Sequence, residues 1–227
     1  MKIGILQAGH AAEELLPTTG DIAPHFERML DGNGFAFATY DVVDMVFPDS
    51  ITDCDGWIIT GSKHGAYEDH PFIAPLEEMI RAVYDADIPL VGICFGHQII
   101  AQALGGRVEK YQKGWAVGRQ SYDWNGDTVM LNAWHQDQVV ERPADANVFA
   151  TNDFCTNAAL VYGKRAFTVR AHPEYGKPFM SGLAEYRGVG IVPDAQLQTM
   201  RDDLDKPVDN MRIAAQIAQF FMTRELT

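Results

Sequence analysis

Pro89-Leu-Val-Gly-Ile-Cys94-Phe-Gly96-His-Gln98-Ile-Ile-Ala-Gln-Ala-Leu104 decides how the chain is read. A short apolar run ends in a cysteine set between two glycines, and an amphipathic helix follows at once. This is the strand–turn–helix elbow that lifts a nucleophile out of the backbone, written here Gly-x-Cys-x-Gly. Gly92 and Gly96 suit it because the sharp turn leaves no room for Cβ atoms. Cys94 falls at the first turn of the helix, where unpaired N–H groups and the macrodipole favour a thiolate. A free cysteine is otherwise a small core hydrophobe. The paired glycines at this spacing favour the reactive reading.

Outward from the elbow, the first half alternates strands and helices. Strands are expected at 2–8, 35–42, 56–61 and 89–93. Helices are expected from a cap at Asp21 to about Gly32 and from Pro71 to Ala86, the second with Leu76, Met79, Ile80 and Val83 on one face. Such alternation implies a parallel sheet covered on both faces, with sites at the carboxyl ends of its strands. From about Gly106 the pattern shifts to short strands, at 118–124, 128–133, 147–151, 158–162 and 166–171. Asn125-Gly126 forms a hairpin turn between the first two. After Pro178 the chain returns to helices, the last at 209–223. The expectation is one α/β domain over residues 1–227, built on a mixed sheet.

Composition excludes several function classes. The 227 residues are 47% hydrophobic and carry a net charge of −13. That balance argues against nucleic acid and anionic membranes, which attract basic patches. Three separated cysteines, Cys54, Cys94 and Cys155, fit free thiols in a reducing compartment. The apolar start is too short for a signal peptide, and no run reaches membrane-spanning length. A cytoplasmic location is expected.

A cysteine nucleophile needs an imidazole base and a group that orients it. Among seven histidines, His172 ends a strand-like run and precedes Pro173-Glu174. Proline biases the preceding residue toward extended backbone. Residues two apart on an extended chain share a side, so Glu174 can hold the ring. Without Cys94, His-Pro-Glu would read as a polar loop. His97 is expected to pack against the sheet or to be capped locally, and His135 to line the pocket. His10, His25, His64 and His70 fall in loops or helix starts, where exposure is the default. No HExxH or paired CxxC gives metal-ligand spacing, so neither a metal nor another cofactor is expected.

Together, Gly92-Ile-Cys94-Phe-Gly96-His-Gln98 and His172-Pro-Glu174 resemble the class I (triad) glutamine amidotransferases. The resemblance covers nearly the whole chain. It implies a three-layer, flavodoxin-like fold with a mixed, mostly parallel central sheet. It also implies a Cys94-His172-Glu174 triad that attacks a γ-glutamyl amide and forms a thioester. Ammonia or an amine then leaves, and water releases glutamate. The oxyanion hole it implies is formed by the backbone N–H of Phe95 and that of Ser62, in Thr60-Gly61-Ser62-Lys63. Gly61, Gln98, Gln136 and Asp137 are the implied substrate-binding positions.

In Gly61-Ser62-Lys63, Ser62 and Lys63 replace the second glycine and the proline of the family's usual Gly-Gly-Pro-like sequence. With Trp134-His-Gln-Asp-Gln-Val139, this loop resembles the free-standing γ-glutamyl peptidase branch, which stands beside the GMP-synthase glutaminases. Arg170-Ala171 stands where Gln-Gly is common. Trp115 and Trp134 are candidates for pocket walls or for simple core packing.

Three readings follow. A free-standing hydrolase of small γ-glutamyl compounds is favoured by the Ser62 loop and the tryptophan motif. A glutaminase subunit would supply ammonia to a separate synthase chain, since no GxxxxGK[ST] loop is present. A catalytically idle binding module would have no need of the intact Cys94, His172 and Glu174.

Overall fold

The computed structural model describes residues 1–226. In chain order the strands are β1 (Lys2–Leu6), β2 (Ala36–Tyr40), β3 (Gly56–Ile59), β4 (Leu90–Ile93), β5 (Arg107–Glu109), β6 (Ala116–Trp124), β7 (Asp127–His135), β8 (Gln138–Glu141), β9 (Asn147–Thr151), β10 (Ala159–Tyr162) and β11 (Ala166–Val169). The helices are α1 (Leu16–Thr19), α2 (Ala23–Met29), α3 (Ile73–Asp85), α4 (Phe95–Ala103), α5 (Lys177–Tyr186), α6 (Asp194–Asp203) and α7 (Asn210–Thr223).

Nine strands form one sheet in the order β2-β1-β3-β4-β11-β10-β9-β6-β7. From β2 to β11 every pairing is parallel, and β4 and β11 lie side by side with Val169 opposite Ile93. From β11 to β7 every pairing is antiparallel. The sheet is therefore mixed, and parallel in the core that carries the elbow. β3 and β4, buried along their whole length, read as unbroken apolar runs because both faces are covered.

The pleat divides those runs between two cores. On one face Ile58, Val91, Ile93 and Phe167 pack with Phe26 of α2, Phe179 of α5, and Ile213, Ile217 and Phe220 of α7. On the other, Trp57, Ile59, Leu90 and Ala166 pack with Leu76, Ile80 and Val83 of α3 and with Ile99 and Ile100 of α4. Side chains one residue apart on a strand thus serve opposite helical layers.

The elbow lies between β4 and α4. Cys94 is the N-cap of α4 and adopts φ 56°, ψ −101°, outside the ordinary regions for a non-glycine residue. A Cβ on Gly92 would come within 2.5 Å of the Gly96 backbone, and one on Gly96 within 2.3 Å of the Ile59 carbonyl oxygen. Both glycines are there because backbone passes against backbone. At the distal end, Asn125 and Gly126 both have positive φ, as the β6–β7 hairpin turn requires.

Several local expectations are corrected. Asp21 does not cap the helix after it: the N-cap of α2 is Ile22, and Asp21 accepts from the Ile22 and Ala11 N–H groups instead. The short helix α1 and the separate two-stranded sheet β5-β8 carry too few residues for periodicity to reveal them. No helix among the described residues is long and apolar enough to cross a membrane.

Candidate active site

Three loops meet at the carboxyl ends of β3, β4 and β11. Thr60 anchors the loop after β3: its Oγ1 accepts from the Ala8 N–H, and its carbonyl accepts from the Gly96 N–H at 3.1 Å. That bond ties the Gly61-Ser62 segment to the elbow. The Cys94 N–H donates to the Val169 carbonyl at 2.9 Å, which seats the elbow on β11. The His172 N–H donates to the Asn132 carbonyl on β7 at 2.8 Å, so the antiparallel half of the sheet sets the position of the histidine.

Cys94, His172 and Glu174 are all buried. Nδ1 of His172 and Oε1 of Glu174 lie 2.7 Å apart. The contact is made in a turn after β11 rather than on extended backbone, so the spacing argument from alternation gives the right neighbours by the wrong geometry. Tyr175 stacks on the His172 ring at 4.4 Å between centroids and 13° between planes, and Phe179 stacks on Tyr175 in turn. With Nδ1 turned to Glu174, the ring's other nitrogen is the one left to face Cys94, whose charge acts on the ring.

Burial pushes the Cys94 thiol up, but the His172 and Arg170 charges and the His172 hydrogen bond outweigh it, leaving the pKa lowered to about 7. Burial pulls His172 down, and the Cys94 and Glu174 charges raise it well above the ordinary imidazole value. The two groups stabilise each other as a thiolate and an imidazolium.

A cavity of about 360 Å³ opens beside these groups, within the range of small-molecule sites. Its wall brings together Cys94, His172, Ser62, Gln98, Gln136 and Asp137. Gly61 lies directly behind: a Cβ there would sit 3.2 Å from Cε1 of His172 and 3.7 Å from the Cys94 Cβ. The Gln98 side chain is buried, and its NH₂ has no partner among the described residues. Gln136 donates to the Tyr111 carbonyl, and Asp137 accepts from the Tyr67 hydroxyl. Phe95 is buried as the first residue of α4. Trp115 and Trp134 face each other at 6.3 Å, lining the cavity while also packing on the core.

The remaining histidines separate by environment. His97 packs against the sheet, its Nδ1 2.8 Å from Thr168 Oγ1, and burial lowers its pKa to about 3. His135 lines the cavity and is likewise held neutral by burial. His25 departs from the exposure expected of it: it is buried against the edges of Tyr175 and Phe179. His64, Glu68 and His70 bring ligand-type atoms within 4.8 Å of one another near the cavity mouth. Glu68 there already accepts from the Gly65 N–H and pairs with His70.

Arg170, like the stacked Tyr175, is a group at the site whose importance the sequence did not reveal. It is 2% exposed, and its Nη1 lies 2.8 Å from Sγ of Cys94. Its unusual presence in place of glutamine was the signal available. Spacing alone could not show that it points at the sulfur.

Comparison with known proteins agrees with this arrangement. The model of the glutamine amidotransferase class-I family matches residues 35–178. Gamma-glutamyl peptidase 3 of Arabidopsis thaliana is 31% identical over 191 residues, covering 77% of each chain. GMP synthase [glutamine-hydrolyzing] of Ralstonia pickettii (strain 12J) is 31% identical over 68% of this chain, which corresponds to 31% of that longer protein. Among solved structures, a glutamine amido transferase from Methylobacillus flagellatus superposes with a TM-score of 0.74 at 22% identity, over 99% of this chain and 92% of that one. The chain is a member of the class I glutamine amidotransferase family.

Proposed function

We propose that the chain is a cysteine hydrolase of γ-glutamyl amide bonds, acting on glutamine or on a small γ-glutamyl amide or peptide. The observation that carries this is the convergence of the Cys94 elbow and His172 on one wall of a cavity, with Glu174 hydrogen-bonded to His172 behind it. The Cys94 thiolate attacks the γ-carbonyl carbon. The oxyanion that forms is held by the backbone N–H groups of Phe95 and Ser62. Collapse expels the amine, which takes its proton from the His172 imidazolium, and leaves a glutamyl thioester on Cys94. Water, deprotonated by His172, then releases glutamate and restores the thiolate. Glu174 keeps the ring in the tautomer that presents its other nitrogen to sulfur.

Gln98 supports a glutamyl-binding role, since its buried NH₂ is unpartnered beside the nucleophile. Gly61, Gln136 and Asp137 complete the proposed subsite. The apolar wall of Trp115 and Trp134 leaves space for a leaving amine larger than ammonia. That wall, with the likeness to gamma-glutamyl peptidase 3 over most of both chains, favours a free-standing enzyme of one domain. The test is hydrolysis by the isolated chain of glutamine and of a panel of γ-glutamyl peptides.

The second reading is a glutaminase subunit that passes ammonia to a separate synthase chain. The similarity to 31% of the length of a GMP synthase [glutamine-hydrolyzing] supports it. Turnover of glutamine only after a partner is added would decide in its favour.

A further inference from the structure

We infer that Arg170 is a standing counter-ion of the nucleophile, a fixed charge that favours the Cys94 thiolate whether or not His172 carries a proton. This rests on the reading of Cys94 as the attacking group, and it adds a second, permanent source of the thiolate to the imidazole.

The geometry is specific. Nη1 of Arg170 points at Sγ from 2.8 Å, while Nε and Nη2 both donate to the Asp137 carbonyl, at 3.1 and 2.6 Å. The carbonyl fixes the guanidinium plane, and the remaining arm is aimed at sulfur. Arg170 is 2% exposed, and no carboxylate lies within ion-pair distance of it among the described residues. A guanidinium does not deprotonate in a protein, and a buried cation without an anion is strongly destabilised. The Asp137 carbonyl supplies a dipole but no charge. The sulfur is the group in contact that can become an anion.

Among the other groups around the guanidinium, only the Asp137 carboxylate acts on it as a charge, through space and without an ion-pair contact. His97 and His135 are held neutral by burial, and Tyr122 and Cys155 are held protonated by it. The Asp137 carboxylate is turned to the Tyr67 hydroxyl, and the Glu174 carboxylate to His172. Glutamine, common in the family at this position, can donate a hydrogen bond but brings no charge. The change to arginine therefore alters the resting state of the nucleophile rather than its position.

The consequence separates this site from one in which imidazole alone ionises the thiol. Removing His172 should stop turnover, because the leaving amine has no acid, yet leave a nucleophilic sulfur. Removing the Arg170 charge should raise the pH at which sulfur becomes nucleophilic even with His172 intact.

The experiment is alkylation of Cys94 by iodoacetamide across a pH series, read by mass spectrometry of the Cys94 peptide. In this step the thiolate forms an S–C bond and iodide leaves, so no γ-glutamyl substrate is involved. The expected result is that His172→Ala moves the alkylation profile up, since His172 is the larger of the two influences on sulfur, yet still alkylates at neutral pH because Arg170 remains. Arg170→Gln should shift the alkylation profile up by about one to two pH units. Arg170→Lys, which keeps the charge but loses the fork, should fall between, and it serves with His172→Ala should the glutamine variant fail to fold. An unchanged profile in Arg170→Gln, or loss of all neutral-pH alkylation in His172→Ala with Arg170 present, would overturn the inference. The γ-glutamyl reading fails separately, if Cys94→Ser keeps its hydrolytic rate.

Discussion

Nδ1 of His172 lies 2.7 Å from Oε1 of Glu174, and both side chains are buried. The carboxylate fixes which ring nitrogen faces Cys94 and stabilises the ring when it is charged. Glu174→Gln keeps the shape and removes the charge. We expect kcat to fall by about 10²-fold or more with little change in KM, since the amide no longer favours the imidazolium that forms during turnover. Steady-state kinetics on a γ-glutamyl substrate check this.

Gly61 tests how tightly the site is assembled. A methyl group at this position would meet the His172 ring at 3.2 Å, which forces the imidazole to give by a few tenths of an ångström. Gly61→Ala should lower kcat by about tenfold or more, because small displacements of aligned groups are costly in rate. Its thermal midpoint should stay close to that of the wild type. A variant of normal activity would place the His172 ring elsewhere.

The pH dependence of rate follows from the two coupled groups. The thiol pKa is lowered to about 7 and that of His172 is raised. Turnover should rise with pH through about 7 as sulfur ionises, then fall at alkaline pH as the imidazolium that protonates the leaving amine is lost. A kcat/KM profile from acid to alkaline pH reads both limbs.

Stability should follow a different pH course. The pKa of His97 is lowered from 6.5 to about 3 by burial, so the folded state keeps it neutral while the unfolded chain takes up a proton. Its contribution is present above pH 6.5 and is lost as pH falls toward 3. Each such histidine weakens the fold by about 1.4 kcal/mol per pH unit in that window. Urea midpoints should fall on acidification, and less steeply in His97→Asn.

Trp134 addresses the leaving group. It faces Trp115 across the cavity wall. Trp134→Ala should raise KM for γ-glutamyl compounds with bulky amines by about tenfold, while glutamine, whose ammonia needs no such wall, is little affected. Equal losses on both substrates would make the tryptophan a packing residue only.

What the sequence showed and hid follows physical lines. The Gly92-Ile-Cys94-Phe-Gly96 elbow was legible because its requirement is steric and local: neither glycine can carry a Cβ. The helical faces were legible because both sheet faces are covered, which makes α3 periodic and the central β3 and β4 uniformly apolar. The pairing of β5 with β8 was hidden because three or four residues carry no period. The burial of His25 was hidden because it depends on Tyr175 and Phe179, far away in sequence. Arg170 is the sharpest case. Its replacement of glutamine is visible in one letter, but its approach to Cys94 depends on the Asp137 carbonyl that aims it.

The central claim is that Cys94 forms a glutamyl thioester. The most direct measurement incubates the isolated chain with a γ-glutamyl peptide, quenches with acid during turnover, and weighs the Cys94-containing peptide, with Cys94→Ser in parallel. The account predicts a glutamyl adduct on Cys94 in the wild type, with neither adduct nor turnover in the variant. Hydrolysis that persists in Cys94→Ser, or turnover by the wild type with the adduct on another residue, would contradict it.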